Sequence, residues 1–499
     1  MKGSGIRKGT YFCRYVRISV LLVMFLTPGV LLAQITFERT YGGGQFDAGR
    51  SVQQTSDGGY IIAGQTESFG SGLVDVYLVK TDSLGSVLWD TTSGGSSHDW
   101  GFSVQQTLDD GYIVGGVTSS QGSGLFDVYL AKTDSSGNTE WDMTYGGAQD
   151  DWANCVQQTI DGGYVIAGQT GSFGSDLVDV YLIKADFSGN IEWDTTYGGN
   201  LYDGGWHVQQ TTDGGYIIAG QTASFGVGGD DVYLIKTDSL GGVQWDTTYG
   251  GSLDDGGCCV RQTRDGGYII AGHTSSFGVG GDDVYLIKID SLGNIEWDTT
   301  CGGTSEDCGY SVQETFDGGY IVGGWTKSFG AGMYDVYLAK TDSVGNLLWD
   351  VTYGGSSDDW SNSVQQTSDS GFVVAGYTNS SGAGGGDVYL IKTDENGLTG
   401  IEETGTKSAV PHRSFQLFQN HPNPFHHSTV ISYVLPQATE VTLEIYDITG
   451  RLVETLVNER HGPGIHQVRW DRKTNPSGVY FYRLKAGEFV ETKKMVVVQ

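Results

Sequence analysis

Apolar residues in this chain come in short unbroken runs rather than helical stripes, as in Tyr216-Ile217-Ile218-Ala219-Gly220 and Val232-Tyr233-Leu234-Ile235. Runs that are apolar on successive residues predict strands buried on both faces. Four β-capable runs, A to D, occupy the first unit at Ser51–Thr55, Tyr60–Thr66, Asp75–Thr81 and Val87–Thr92. Ser56-Asp57-Gly58-Gly59 separates A from B, and Asp82-Ser83-Leu84-Gly85 separates C from D. Both are short turns in which glycine supplies a positive φ. The B–C and D–A connections are longer and rich in Gly, Ser and Asp. In a four-stranded meander those two emerge on one face, where ligand-binding loops are expected.

The unit repeats. Its hairpin aromatic falls at Tyr60, Tyr112, Tyr164, Tyr216, Tyr268, Tyr320 and Phe372, every step being 52 residues. A fixed period near 50 with four strands per unit predicts a propeller, and two tight hairpins per unit argue against a β-solenoid. Strand D carries Trp-Asp at Trp89, Trp141, Trp193, Trp245, Trp297 and Trp349, and a further copy, Phe37-Glu38, precedes them all. After the last strand C the expected position holds Ile401-Glu402 instead. The segment Ile35–Tyr41 is therefore expected to complete the last blade and remove an exposed sheet edge.

The predicted fold is all-β: a seven-bladed β-propeller over 34–400, a linker at 401–413, and an immunoglobulin-like β-sandwich over 414–499. Strands of the sandwich are expected at Thr429–Val434, Val441–Tyr446, Leu452–Val457, His466–Trp470, Val479–Leu484 and Glu491–Val498.

Two resemblances follow from particular residues. The C–D hairpin Leu234-Ile235-Lys236-Thr237-Asp238-Ser239-Leu240-Gly241, followed by Trp245, resembles the tryptophan-docking repeats of quinoprotein-like propellers. Its Asp-to-Gly interval is one residue shorter and no quinone-binding constellation accompanies it, so the resemblance implies architecture and no quinone cofactor. The C-terminal region is similar to the type A sorting domain of type IX secretion substrates. The likeness rests on Asn420-His421-Pro422-Asn423-Pro424-Phe425, on Tyr446-Asp447-Ile448-Thr449-Gly450-Arg451-Leu452-Val453, on Ser477-Gly478-Val479-Tyr480-Phe481-Tyr482, and on Lys493-Lys494-Met495-Val496-Val497-Val498. It implies passage across the outer membrane, with the secretion machinery there as partner, and then release or anchoring at the cell surface. An ordinary immunoglobulin-like binding module is the alternative.

The other end agrees with export. Lys2, Arg7, Lys8, Arg14 and Arg17 precede an apolar run from Ile18 to Leu32, and Leu31-Leu32-Ala33 ends it, the pattern of a signal peptide over residues 1–33. The run is short and interrupted by Thr27-Pro28-Gly29, which argues against a transmembrane anchor. Without those residues, 23 Lys and Arg face 59 Asp and Glu. Such an excess disfavours nucleic acid and anionic membranes and suits cations or a basic protein.

Five acidic positions recur in all seven units, represented by Glu38, Asp47, Asp57, Asp75 and Asp82, and they account for 35 of the 59 acids. Recurrence in every unit points to structure, with Asp57 and Asp82 accepting turn amides and Lys80 and its equivalents offering partners. Asp47, Asp99, Asp151, Asp203, Asp255, Asp307 and Asp359 stand apart because they precede the innermost strand and would form a ring on the long-loop face. Two readings stay open: capping by backbone amides, or a calcium ion or other hard cation. Extra acids (Asp150, Asp254, Glu306, Asp358, Glu67, Asp176, Asp230, Asp282) thicken that face. Trp100, Trp152 and Trp360 share one repeat position, with Trp206 two residues beyond its equivalent. Carboxylates beside indoles suit carbohydrate, although packing between blades explains the indoles as well.

No His-Glu-x-x-His, Gly-x-Ser-x-Gly, P-loop or zinc-type Cys spacing occurs, and only His98, His207 and His273 fall in the repeats. Of the cysteines, Cys301 and Cys308 bracket one D–A loop and suit a local bridge in an exported protein, while the absence of a flanking histidine argues against zinc there. Cys155, Cys258 and Cys259 are expected to pack as small apolar groups. The departures from symmetry, His207, Arg261, Cys258-Cys259 and Trp206, look scattered along the chain. The leading expectation is a secreted or surface-attached, non-catalytic binding propeller with a glycan or protein ligand. A glycan-active hydrolase or lyase using long-loop carboxylates and a structural adhesion component are the alternatives.

Overall fold

A computed structural model describes residues 34–399 apart from 176, and residues 416–498 apart from 418–419, 421–422, 427, 436–438, 463, 474–475 and 488. The expected signal peptide at 1–33, the linker at 401–413, Asp176 and Pro422 lie outside the described residues. The protein is all-β. Among the described residues no helix is long and apolar enough to cross a membrane.

Seven four-stranded antiparallel sheets follow one another, each in the order A-B-C-D. In the first blade the strands are Asp47–Gln54, Tyr60–Thr66, Asp75–Thr81 and Val87–Ser93. Strands B and C are buried along their whole length, as their unbroken apolar runs require. The seventh sheet is built from Asp359–Gln366, Phe372–Thr378 and Asp387–Thr393, and its fourth strand is Phe37–Tyr41 from the start of the repeats. That strand pairs antiparallel from Phe37 opposite Lys392 to Tyr41 opposite Val388.

One contact locks each blade to the next. The strand D aromatic lies on the glycine of the following blade's C–D turn: a Cβ on Gly137 would meet Trp89 at 2.7 Å, and one on Gly85 would meet Phe37 at 2.7 Å. Both glycines also have positive φ, 83° and 75°, so turn geometry and close approach demand the same residue. In five blades a strand D tyrosine then donates its hydroxyl to that turn's carbonyl, Tyr41 to Gly85 at 2.7 Å and Tyr145 to Gly189 at 2.6 Å, with Ser93 and Cys301 at the position in the other two. Phe37 and Tyr41 thus repeat at the closing junction what the other blades do.

Strand A departs from expectation. It starts at Asp47, four residues before the apolar run suggested, so Asp47 and its six equivalents are the first residues of the innermost strand and not loop residues. Its register against strand B shifts between Gly49 and Ser51, leaving Arg50 as the extra residue of a β-bulge. The same bulge recurs at Phe102, Asn154, Trp206, Cys258, Tyr310 and Asn362. A bulge bends its strand and re-aims the extra side chain.

Two amide belts join the innermost strands. Gln53 accepts from the Gln106 N–H at 2.6 Å, and the pattern continues around to Gln365, which accepts from Gln54 at 2.6 Å. Six of the seven junctions carry this bond; at the seventh the acceptor position is Arg261, which has no acceptor atom. The lower belt is complete, and its closing bond runs from Ser368 N–H to Gln54 at 2.9 Å.

The C-terminal strands form two sheets. One comprises Gln416–Leu417, Ser428–Leu435 and Gly464–Asp471, the other Leu452–His461, Thr439–Asp447, Gly478–Ala486 and Phe489–Val497. Trp470, Tyr433, Leu443, Tyr482 and Met495 are buried together between them. The strands fall where the sequence places them, extended by a few residues at their ends.

Candidate functional site: the central channel

The five repeated carboxylates are consumed inside the blades. Lys80 Nζ lies 2.9 Å from Asp57 Oδ2 and donates to the Thr81 carbonyl at 2.8 Å, and the ion pair recurs in every blade with a buried lysine. Burial pushes the Asp57 carboxyl up, but hydrogen bonds from Thr55, Lys80 and Gly59 outweigh it and hold it at about 2. Asp82 accepts the Leu84 and Ser86 N–H groups, both at 2.8 Å. Asp75 accepts from Gly72 at 2.9 Å, and the strand D acid Asp90 takes the Tyr77 hydroxyl at 2.8 Å.

The ring of Asp47, Asp99, Asp151, Asp203, Asp255, Asp307 and Asp359 is fully buried, 0% exposed in every blade. Each carboxylate accepts a backbone N–H from its own D–A loop at 2.7 Å, Gly43 for Asp47 and Gly355 for Asp359. Each also accepts a serine hydroxyl from the end of strand B, Ser68 for Asp47 and Ser380 for Asp359. In five blades a strand B threonine, such as Thr66, donates as well. This is capping geometry in place of an open acidic rim. Neighbouring blades bring a second carboxylate close: a Cβ on Gly42 would lie 2.5 Å from Asp47 Oδ2 and 2.6 Å from Asp387 Oδ1. Burial pushes Asp283 up to about 6, with Asp307 adding its charge.

The indoles divide into two groups. Trp100 and Trp152 pack with Phe102 and Phe126, the Trp100 and Trp152 rings 5.7 Å apart and Phe102 stacked on Trp152 at 5.9 Å. Trp360 packs with Tyr334 at 4.9 Å, Trp325 at 5.1 Å and Tyr377 at 6.0 Å. These clusters bridge neighbouring blades; Trp325 is buried and the other rings are half-buried. Trp206 differs, because it is a bulge residue.

All seven bulge residues line one cavity of about 500 Å³ down the middle of the repeats. Repetition fails there: the seven positions hold Arg, Phe, Asn, Trp, Cys, Tyr and Asn. His207, Arg261 and Arg264 line the same cavity. Residues that look scattered along the chain therefore converge, since each innermost strand contributes one wall. Among the described residues, Arg50 Nε, His207 Nδ1 and the indole nitrogens of Trp100, Trp206, Trp325 and Trp360 are buried without a hydrogen-bond partner. Burial, with Arg261 beside it, holds the His207 imidazole well below its usual value and so neutral.

The expected Cys301–Cys308 bridge is not formed. All five cysteines of the repeats are free thiols. Cys301 is buried in the core between blades, whereas Cys308 meets Cys258 of the preceding blade. The hydrogen bond from Cys308 pulls the Cys258 thiol below its usual value. His273, absent from the sequence neighbourhood of both, completes the group.

In the C-terminal sheets the motif residues tie the segment before the first long strand to the last strand. Asn423 Oδ1 accepts the Val496 N–H at 2.8 Å, and the buried Phe425 exchanges backbone hydrogen bonds with Val496 and Val498. It also stands next to Trp470, the rings 5.7 Å apart. Pro424 links these two anchors. Gly450, at φ 81°, closes the Asp447–Arg451 hairpin, across which Arg451 pairs with Asp447 at 3.0 Å. Gly478 opens a strand, Tyr480 donates to the Pro476 carbonyl at 2.9 Å, and Lys493 pairs with Glu491 at 3.3 Å, with Lys494 beside it on the final strand.

Residues 420–498 match the family model of a secretion system C-terminal sorting domain. The chain therefore carries the tail of a type IX secretion substrate, a protein delivered to the cell surface or the extracellular space through that machinery. The regulatory protein FlaEY of Caulobacter vibrioides is 23% identical over 410 residues, covering 72% of this chain and 37% of FlaEY, so the chain spans little more than a third of that relative. Among solved structures, PorZ, a surface component of the type IX secretion system of Porphyromonas gingivalis, is 11% identical with a TM-score of 0.42, covering 92% of this chain and 60% of PorZ. Sqt1 from Chaetomium thermophilum is 12% identical with a TM-score of 0.42, covering 68% and 82% of the two chains.

Proposed function

We propose that the exported protein is a non-catalytic binding propeller that takes carbohydrate at the central channel, after a leader at 1–33 is removed and the sandwich from 414 has engaged the secretion machinery. The observation that carries this reading is the failure of sevenfold repetition at the bulge positions, where Trp206, Phe102, Tyr310 and Arg50 face one cavity. Aromatic faces stack on sugar rings, while amides, guanidinium groups and the unpartnered indole N–H of Trp206 serve hydroxyls. The repeated carboxylates are bound into the scaffold, so neither a general acid nor a base stands out among them.

A glycan array probed with the signal-cleaved chain tests it. Retention without release of product, weakened about tenfold by Trp206→Ala (about 1.4 kcal/mol), supports the reading. Turnover of a retained glycan overturns its non-catalytic part, and an array on which nothing is retained overturns its carbohydrate part.

A further inference from the structure

Cys258, His273 and Cys308 stand together at the junction of the fifth and sixth blades. Their ligand atoms, two Sγ and one imidazole nitrogen, all lie within 4.8 Å of one another, the one such grouping of His, Cys, Asp and Glu among the described residues. Each reaches its place through a local departure from the repeat. Cys258 is the bulge residue of its strand and faces the channel cavity. His273 lies opposite Gly256, and a Cβ there would fall 2.6 Å from the ring's Cε1, so the imidazole uses space that only glycine leaves. Cys308 takes the position held by tryptophan in Trp100, Trp152 and Trp360 and is buried.

We infer that these three side chains form a binding site for a thiophilic divalent ion of the zinc class, with a fourth coordination position bordering the channel. Two thiols and an imidazole are borderline-to-soft donors, which favour zinc over calcium or magnesium. A tetrahedral ion with metal–sulfur bonds of about 2.3 Å spaces its ligands about 3.8 Å apart, inside the 4.8 Å limit that the three atoms already satisfy. Both cysteines bind the ion as thiolates, releasing whatever protons they carry, and the two thiolates balance the ion's charge. Asp282, close enough to act electrostatically on both His273 and Cys308, contributes further negative potential and accepts a hydrogen bond from Ser275. Three protein ligands with one open position is the arrangement in which zinc accepts an outside donor. The site is independent of the carbohydrate reading.

The test uses the full signal-cleaved chain, isolated under reductant and loaded with Zn²⁺ or, as a spectroscopic probe, Co²⁺. One equivalent of zinc is expected to survive gel filtration, Co²⁺ is expected to show sulfur-to-metal charge-transfer absorption, and zinc is expected to protect two thiols from alkylation. Cys258→Ser, Cys308→Ser and His273→Gln are each expected to weaken zinc retention at least tenfold, with Cys155→Ser as the unaffected control. Circular dichroism identifies variants that do not fold, and His273→Gln, at a partly exposed ring, keeps the test open if the buried Cys308→Ser fails. Retention below one equivalent, retention indifferent to all three substitutions, or a Cys258–Cys308 disulfide in chain isolated without reductant that excludes zinc overturns the inference.

Discussion

The junctions between blades and the wall of the channel share the same strands but follow opposite rules. In the scaffold, within blades and between them, the contacts repeat: an aromatic on a turn glycine, a buried lysine on a hairpin aspartate and an aspartate capped by a glycine N–H and a serine in all seven blades, and a tyrosine on the turn carbonyl in five. On the channel wall, three residues past the capped aspartate along strand A, no such agreement holds, and Arg50, Phe102, Trp206 and Cys258 occupy equivalent places. Identical surroundings select identical residues, so repetition marks scaffold. The channel is shared by seven strands and sees each bulge side chain only once, so it tolerates asymmetry and can use it. In this molecule a residue's departure from the repeat is better evidence of a site than its chemistry.

Substitutions on the two sides of that divide separate scaffold from site. The largest expected effect is at the closing junction: Phe37→Ala removes a buried aromatic that seals the seventh blade against the first and is expected to cost about 4 kcal/mol, read by denaturant unfolding. Phe37→Trp, which copies the other blades, is expected to stay within about 1 kcal/mol. Next comes Asp203→Ala, which leaves the Gly199 N–H and the Ser224 and Thr222 hydroxyls without their shared acceptor and is expected to cost about 3 kcal/mol. Trp206→Ala reverses the pattern, with a loss of stability below about 1 kcal/mol beside the tenfold loss of glycan affinity. A stability loss like that of Asp203→Ala would make Trp206 scaffold.

Smaller effects sharpen the contrast. Arg261→Gln restores the missing acceptor of the upper amide belt opposite the Glu314 N–H and is expected to stabilise by about 1 kcal/mol in thermal unfolding. The carboxylates also answer pH with opposite signs. Asp57, Asp109 and Asp213 are held at about 2 in the folded chain, against an ordinary value near 4, so their stabilisation is present above about 4 and fades as pH falls through about 2. Asp283, raised to about 6, binds its proton more tightly folded than unfolded, so its contribution is lost as pH rises from about 4 to about 6. Unfolding midpoints of Asp283→Asn are expected to fall less than those of the unsubstituted chain across that upper interval.

Much of this was legible from residues alone. The 52-residue step, the displaced Phe37-Glu38 copy and the C-terminal motifs determined seven blades, their closure and the sorting tail. Each is a local pattern repeated or ordered along the chain, and burial on both faces writes it directly into apolar runs. Strand A was read four residues short because Asp47 and Gly49 carry no β signature, and its bulge left no trace because one extra residue per strand alters neither period nor composition. The buried Asp ring was ambiguous because the same carboxylate suits an amide or a cation, and the donors Gly43 and Ser68 are supplied by other segments.

Which odd residues meet is settled by the folded ring. Cys258, His273 and Cys308 are separated by 15 and 35 residues and lie on three strands of two blades, and nothing in their spacing brings them together. Closing the ring does so, because it turns the innermost strands into a single wall. The sequence determined the repeated blade, since local burial and turn geometry specify it residue by residue. The site belongs to the closed assembly, where side chains distant along the chain become neighbours.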